Sequence, residues 1–401
     1  MYVSATRWPR LTAVPGNVLA LGAVSLVTDV SSEMVTAVLP MYLVLSLGLS
    51  PLAFGLIDGL YFGVTALVRL AGAHAADRWQ RRKLVAVAGY AISAACRIGL
   101  LAAGGSVAAL GAVVAADRAG KGLRTGPRDA LISLSASPGG LGQAFGVHRA
   151  MDTAGAFLGP LVAFGLLAAT GAAYDAVFVT SFCVAVAGVL LMILYVRDRR
   201  EPLAGERVSV LRVARQAPLS RLCAVASVLG LVTVSDAFVY LLLQKRLSLA
   251  PELFPLLPLG TAGAYLLLAV PLGRLADRVG RFAVFLGGHA ALLVLYGLLA
   301  LPAAGGWLLA AALAALGVFY AATDGVLMAA AGPLVPARLR TSGLAVVQTG
   351  QAVGRLLSSV VFGALWTGVG AEPGLAVMGG GVAVCAVAAW FVLPRGERGV
   401  G

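Results

Sequence analysis

Residues 273–281 read GRLADRVGR, and residues 73–82 read AHAADRWQRR. Each is a short charged segment between two long apolar runs. Each holds an Asp-Arg pair, Asp277-Arg278 and Asp77-Arg78, and the pairs stand 200 residues apart. Other features recur at nearly the same offset. Asp29 and Asp236 are 207 apart, as are Asp117 and Asp324, and Gly126-Pro127 precedes Gly332-Pro333 by 206. One structural unit is therefore used twice.

Working outward from these segments, apolar runs of membrane-spanning length cover 17–46, 51–75, 84–103, 106–134, 141–170 and 174–196. A second set covers 219–247, 254–276, 282–302, 306–334, 341–369 and 374–393. A span needs roughly 20 apolar residues, and 401 residues accommodate twelve spans with short loops. In lipid each span must satisfy its own backbone, so helices are the default; the runs are too long and too uniformly apolar for barrel strands. The predicted fold is an all-α integral membrane protein of twelve transmembrane helices in two pseudo-symmetric six-helix bundles. The bundles are 1–196 and 219–401, joined by a polar linker at 197–218 that reads RDRREPLAGERVSVLRVARQAP.

Composition agrees. The chain is 60% hydrophobic and 12% charged, against about 25% charged in a soluble domain. A soluble enzyme and a disordered chain are both excluded on that ground. The 51 glycines fit closely packed membrane helices. The four cysteines, Cys96, Cys183, Cys223 and Cys385, lie in apolar runs without ligand spacing. They read as small buried hydrophobes rather than disulfides or metal ligands.

The net charge of +13 is mostly an orientation signal. Twenty of the thirty Lys and Arg fall at the N-terminus, the 78–83 and 274–281 loops, the linker region with Arg221, Arg338 with Arg340, and the C-terminus. The opposite loops offer only Lys245 and Arg246. The positive-inside rule then places both termini and the linker in the cytoplasm. Nucleic acid is not an expected partner. The expected setting is a bacterial cytoplasmic (inner) membrane, with the chain as a multi-pass monomer. Seven of the eight basic residues within spans lie in the first half, Arg355 being the exception. The ionisable chemistry is accordingly expected in the first bundle.

The loop at 273–281 resembles the G-x-L-A-D-R-x-G-R signature of the major facilitator superfamily. The first-half loop keeps Asp77, Arg78, Arg81 and Arg82 but has Ala73 and Gln80 where glycines are usual. The resemblance makes Gly273, Asp277, Arg278, Gly280 and Arg281, with the first-half set, a gate latch. An Asp at a helix end can pair with basic loop residues and with a helix N-terminus. Arg118-Ala-Gly-Lys121-Gly122 resembles the family's R-x-x-Q-G, with lysine for glutamine, and implies a part for Arg118 in proton coupling. Gly146, Gly155, Gly159 and Pro160 resemble the antiporter signature of the fifth helix, although Ala163-Phe164 replaces its closing glycines. That signature marks exporters. TDVSSEM (28–34), DRAGKGLRTGPRDA (117–130) and HRAMDTAGAFLGP (148–160) resemble one branch of bacterial efflux facilitators.

Intramembrane carboxylates are functional candidates by default. Asp29 and Glu33, four apart, share a helix face. With Asp117, Arg118, Asp152 and Asp236 they form the proton-coupling set, in which protonation of Asp29 or Glu33 shifts the balance against Arg118. Arg128 is expected to snorkel to the cytoplasmic interface. Arg149 and Asp152, three apart, can pair on one helix. The substrate set is Lys121, Arg149, Phe238, Tyr240, Tyr320, Asp324, Gln348 and Gln351. The second half is expected to supply mainly apolar and amide surface. No metal or cofactor is expected; a site at His148 and Asp152 lacks further ligands. The expected activity is proton-driven antiport exporting a small organic solute or drug. A proton symporter importing a metabolite or anion, held by Arg97, Arg118 or Lys121, is the alternative. A membrane-embedded enzyme is more remote, since HExxH, H-x4-D, G-x-S-x-G and Walker A sequences are all lacking.

Overall fold

The computed structural model describes residues 14–79, 81–136, 140–199, 217–300, 305–335 and 340–393, without the side chains of 66, 67, 69–79, 217, 218 and 340–342. Most of the linker, and the basic residues Arg7, Arg10, Arg338, Arg395 and Arg398, lie outside that set. The described chain is helical throughout, with no strand. The helices are α1 (Gly16–Met41), α2 (Pro51–Trp79), α3 (Arg82–Ala102), α4 (Val107–Ser135), α5 (Leu141–Thr170) and α6 (Tyr174–Tyr195). They continue as α7 (Ala217–Leu231), α8 (Asp236–Leu247), α9 (Leu256–Val279), α10 (Arg281–Ala300), α11 (Gly306–Ala331), α12 (Arg340–Val369) and α13 (Ala371–Val392).

Each of the twelve predicted apolar runs falls on helix among the described residues, with one correction. The seventh, 219–247, is not continuous: α7 and α8 are separated at 232–235. Val232, Thr233 and Val234 are β-branched and poor helix formers. Ser235, in extended conformation, caps α8 by accepting from the Ala237 N–H at 3.3 Å. The exposed backbone groups find partners, as an apolar setting demands. Tyr296 Oη accepts from Val234 N at 2.7 Å and donates to the Val232 carbonyl at 3.3 Å. Ser358 Oγ donates to the Thr233 carbonyl at 2.6 Å.

Among the described residues, ten spans are long and apolar enough to cross a membrane. Span four is not among them, because α4 carries Asp117, Arg118, Lys121, Arg124, Arg128 and Asp129. Large apolar side chains face outward along the spans: Leu267 is 78% exposed and Phe391 72%. Such a surface suits lipid rather than water.

The chain divides into two compact units. Unit 1 comprises 1–36, 67–102 and 116–204; unit 2 comprises 37–66, 103–115 and 205–401. Residues 37–66 and 103–115, from the first half of the sequence, thus belong to unit 2. The core of unit 1 gathers Val18, Leu21, Val24, Tyr90, Leu131 and Met192. That of unit 2 includes Leu219, Leu222, Phe285, Val326 and Val347. Within unit 2 the first turns of α2 lie directly on α12. A Cβ on Gly55 would meet the Ser359 carbonyl, and one on Gly59 would come 2.8 Å from the Leu356 carbonyl. In lipid, association rests on such close packing rather than on a hydrophobic effect between helices.

Candidate functional site

Unit 1 contains a ladder of charges between two antiparallel helix faces. On α1, Ser25, Asp29 and Glu33 recur every four residues. On α4, Arg128, Arg124 and Lys121 recur at four and three, so they also share a face. The rungs are Ser25–Arg128 at 3.3 Å, Asp29–Arg124 at 3.8 Å and Glu33–Lys121 at 3.8 Å. Arg124 is buried, its guanidinium 4.3 Å above the Tyr90 ring. Arg128 does not snorkel away as expected. It turns inward to Asp152 at 3.6 Å and Asp129 at 3.1 Å, with 13% of its side chain exposed.

Asp152 joins the ladder from α5. Arg149 pairs with it at 3.2 Å, while the rest of the Arg149 side chain is exposed. The Asp152 and Asp29 carboxyls come within hydrogen-bonding reach of each other. An ionised carboxylate only accepts, so a hydrogen bond between two carboxyls holds one proton.

The α5 glycines explain how this approach is possible. A Cβ on Gly159 would stand 2.8 Å from Glu33 Cβ and from the Val30 carbonyl oxygen; one on Gly155 would strike the Leu26 carbonyl. Both therefore let α5 rest on the turns of α1 that carry Asp29 and Glu33. Pro160 is buried in the same helix, whereas Gly146 faces open space.

Arg118 pairs with its neighbour Asp117, through Nε at 2.9 Å. Arg97 of α3 reaches the other Asp117 oxygen at 3.1 Å and Ser32 Oγ at 3.1 Å. The result is a buried Arg-Asp-Arg group beside the ladder. Arg97 and Arg118 are both engaged with Asp117 there.

Unit 2 contains charges that the sequence reading undervalued. Arg355 of α12 lies over the rings of Tyr320 and Phe62, at 5.3 and 6.0 Å from their centroids, and donates to Tyr320 Oη at 3.4 Å. Tyr320 in turn donates to Asp236, at the N-terminus of α8. Asp58 of α2 accepts from Ser359 Oγ at 2.6 Å and lies within reach of Ser235. Next to this group is a cavity of about 320 Å³, lined by Phe62, Asp324, Met328, Gln348, Gln351 and Arg355 among others.

A profile of the Major Facilitator Superfamily matches residues 21–258 and 222–400. The chain belongs to that superfamily. It is 30% identical over 365 residues to an uncharacterized MFS-type transporter of Methanocaldococcus jannaschii, covering 87% of this chain and 88% of that one. Its fold is similar to a crystal structure of a mutant of the nucleoside transporter NupG, with TM-score 0.81 and 14% identity over 94% of this chain and all of the other. A bacterial homolog of the human lysosomal transporter Spinster, inward-facing and occupied, gives TM-score 0.71 and 15% identity, covering 94% and 96%. This facilitator is a membrane transporter and not an enzyme.

The remaining expected residues of the facilitator divide between the units. Asp29, Glu33, Asp117, Arg118, Asp152, Lys121 and Arg149 come together in unit 1. Asp236, the repeat mate of Asp29, is in unit 2 with Tyr320. Asp324, Gln348 and Gln351 share the cavity wall. Phe238 and Tyr240 do not line it. Phe238 is fully buried, edge-on to Phe54 and Phe362, and Tyr240 packs near Phe254 with its hydroxyl on Thr261 at 3.0 Å. In the second loop Arg281 pairs with Asp277 at 3.6 Å and donates to the Ala329 carbonyl at 3.2 Å. Arg278 is exposed, and Gly280 has φ +107°, which only glycine adopts readily. In the first loop Arg82 is buried and donates to the Arg199 carbonyl at 2.9 Å, and Arg81 is exposed. The side chains of Asp77 and Arg78 lie outside the described set. Among the described residues no cluster suited to a metal occurs. Cys183 is exposed, contrary to the reading of all four cysteines as buried.

The expected site sets left out Arg124, Asp58 and Arg355, which the structure places in charged groups. The helical spacing of Lys121, Arg124 and Arg128 was a usable signal. Nothing local links Asp58 to Ser359, 301 residues away.

Proposed function

We propose that this facilitator is a proton-driven antiporter that exports a small organic solute by alternating access. It would act as a monomer in a bacterial cytoplasmic membrane with both termini inside. The halves 1–196 and 219–401 rock about the membrane midplane, and the loops around Asp77 and Asp277 latch their cytoplasmic ends. The observation that carries the reading is the Asp29–Asp152 carboxyl pair, set between Arg124 and Arg128 on the α1 face that the α5 glycines contact.

The chemistry follows from charge balance. With one proton, the two carboxyls share a hydrogen bond and α5 stays drawn to α1. Without it, two like charges face each other and must separate or engage Arg124 and Arg128 more fully. Glu33 and Lys121 extend the exchange one turn along. Asp117, with Arg97 and Arg118, supplies a fixed counter-charge. Asp324, Gln348, Gln351 and Tyr320 bind the solute. A tenfold proton gradient supplies about 1.4 kcal/mol, and 100 mV adds about 2.3 kcal/mol per charge.

Everted membrane vesicles test the direction. With an acidified lumen, an exporter accumulates solute and lets protons out. Asp29→Asn and Asp152→Asn are each expected to abolish accumulation while solute binding remains. Solute leaving the lumen together with protons would instead establish an importing symporter.

A further inference from the structure

We propose that the cavity of unit 2 receives a small organic cation, with its protonated amine held by Asp324; this rests on the reading of that cavity as the solute site. The cavity, about 320 Å³, is at the small end of the range for ligand pockets, about 300–1,000 Å³. Its lining is mixed in a way that packing alone does not require. Phe62 and Met328 offer apolar surface, Gln348 and Gln351 offer amides, and Asp324 and Arg355 carry charge.

The charges are unequal in what they already satisfy. The Arg355 guanidinium is held against Tyr320 and Phe62, and Tyr320 connects it to Asp236. Asp236 also stands at the N-terminus of α8, where a carboxylate is favoured. Asp58 is tied to Ser359. Among the described residues Asp324 makes no hydrogen bond or ion pair of this kind, its charged neighbour being Arg355, and it is open to the cavity. Among the described residues, three carboxylates therefore share one guanidinium beside the cavity, and Asp324, the carboxylate that lines it, is the one tied by no hydrogen bond. A charged group in a membrane interior calls for an opposite charge. An ammonium group on the ligand supplies it, and the Phe62 face suits the apolar body next to such a cation. Among the described residues one Arg355 atom, Nε, has no hydrogen-bond partner, so the same ligand gains from carrying an acceptor.

The test uses three probes of equal size and different charge: 2-phenylethylamine, 2-phenylethanol and phenylacetate. Their binding to the purified full-length protein is followed by calorimetry and by the shift in Tm, at pH 7. The amine is expected to bind and raise Tm, and the alcohol and acid to bind at least tenfold more weakly. Asp324→Asn is expected to lower amine affinity at least tenfold, and Asp324→Glu to retain most of it. Gel filtration establishes that each variant is folded. Equal binding of the three probes, preference for the acid, no binding of the amine, or amine binding unchanged in Asp324→Asn would overturn the proposal. Proton-driven accumulation of the amine in everted vesicles separates it from the antiport reading. Amine binding without proton-driven accumulation of amine by the unmodified protein rejects antiport and leaves the cation site standing.

Discussion

At the residue scale, the two kinds of carboxylate in unit 1 have opposite expected sensitivities. Asp117 sits between two buried guanidinium groups. Removing one partner from a buried ion group costs about 3–5 kcal/mol, because the remaining charge is left uncompensated. Asp117→Asn is therefore expected to lower Tm sharply in detergent or to abolish folded protein. Asp29 has a longer contact to Arg124 and a second carboxyl beside it. Asp29→Asn gives up a longer contact to Arg124 and relieves a like-charge contact, so it is expected to lower Tm much less than Asp117→Asn while removing driven transport. Thermal unfolding of the two variants side by side checks this; equal loss of stability would count against the distinction. The difference between Asp117 and Asp29 was not legible in the sequence. Both are single carboxylates in an apolar run, and the motif drew attention to Arg118. One residue of helix turns a side chain through about 100°, which separates Arg118 from the face shared by Lys121, Arg124 and Arg128.

At the element scale, the twelve spans were legible because span length is set by the bilayer and apolar runs report it directly. The break in the seventh was not, since a run of Val, Thr and Val is apolar and differs little from its neighbours in hydropathy. Its stability depends on Tyr296, far along the sequence, which meets two of the freed backbone groups. Tyr296→Phe is expected to cost about 1–3 kcal/mol, the penalty for an unsatisfied buried N–H, seen as a lowered Tm. The α1–α5 contact supplies another test. Gly159→Val adds a side chain where even a Cβ is crowded by Glu33 and the Val30 carbonyl. It is expected to push α5 away from α1 and abolish transport, with a smaller loss for Gly146→Val, where space is open. Equal effects at both positions, read as solute accumulation in vesicles, would contradict the role assigned to that face.

At the scale of the whole molecule, the repeat seen in Asp77-Arg78 and Asp277-Arg278 led to the superfamily, and the family match supports it. The distribution of chemistry was less legible. Counting basic residues within spans favoured the first half seven to one, yet the single Arg355 organises a group drawn from α2, α8, α11 and α12. A count cannot register that one cation serves several distant carboxyls. Asp58 and Gly55 of the first half also pack against α12 within unit 2, so the compact units do not follow sequence order alone.

The central claim is that outward solute movement is coupled to a proton carried by Asp29 and Asp152. It is tested most directly in everted vesicles whose lumen is acidified by respiration and reported by a quenched pH-sensitive dye. The solute added is the compound that most raises the Tm of the purified protein in a ligand screen. The account predicts dequenching as protons leave in exchange for solute, and none in Asp29→Asn or Asp152→Asn vesicles. Dequenching of equal size in both variants would contradict it.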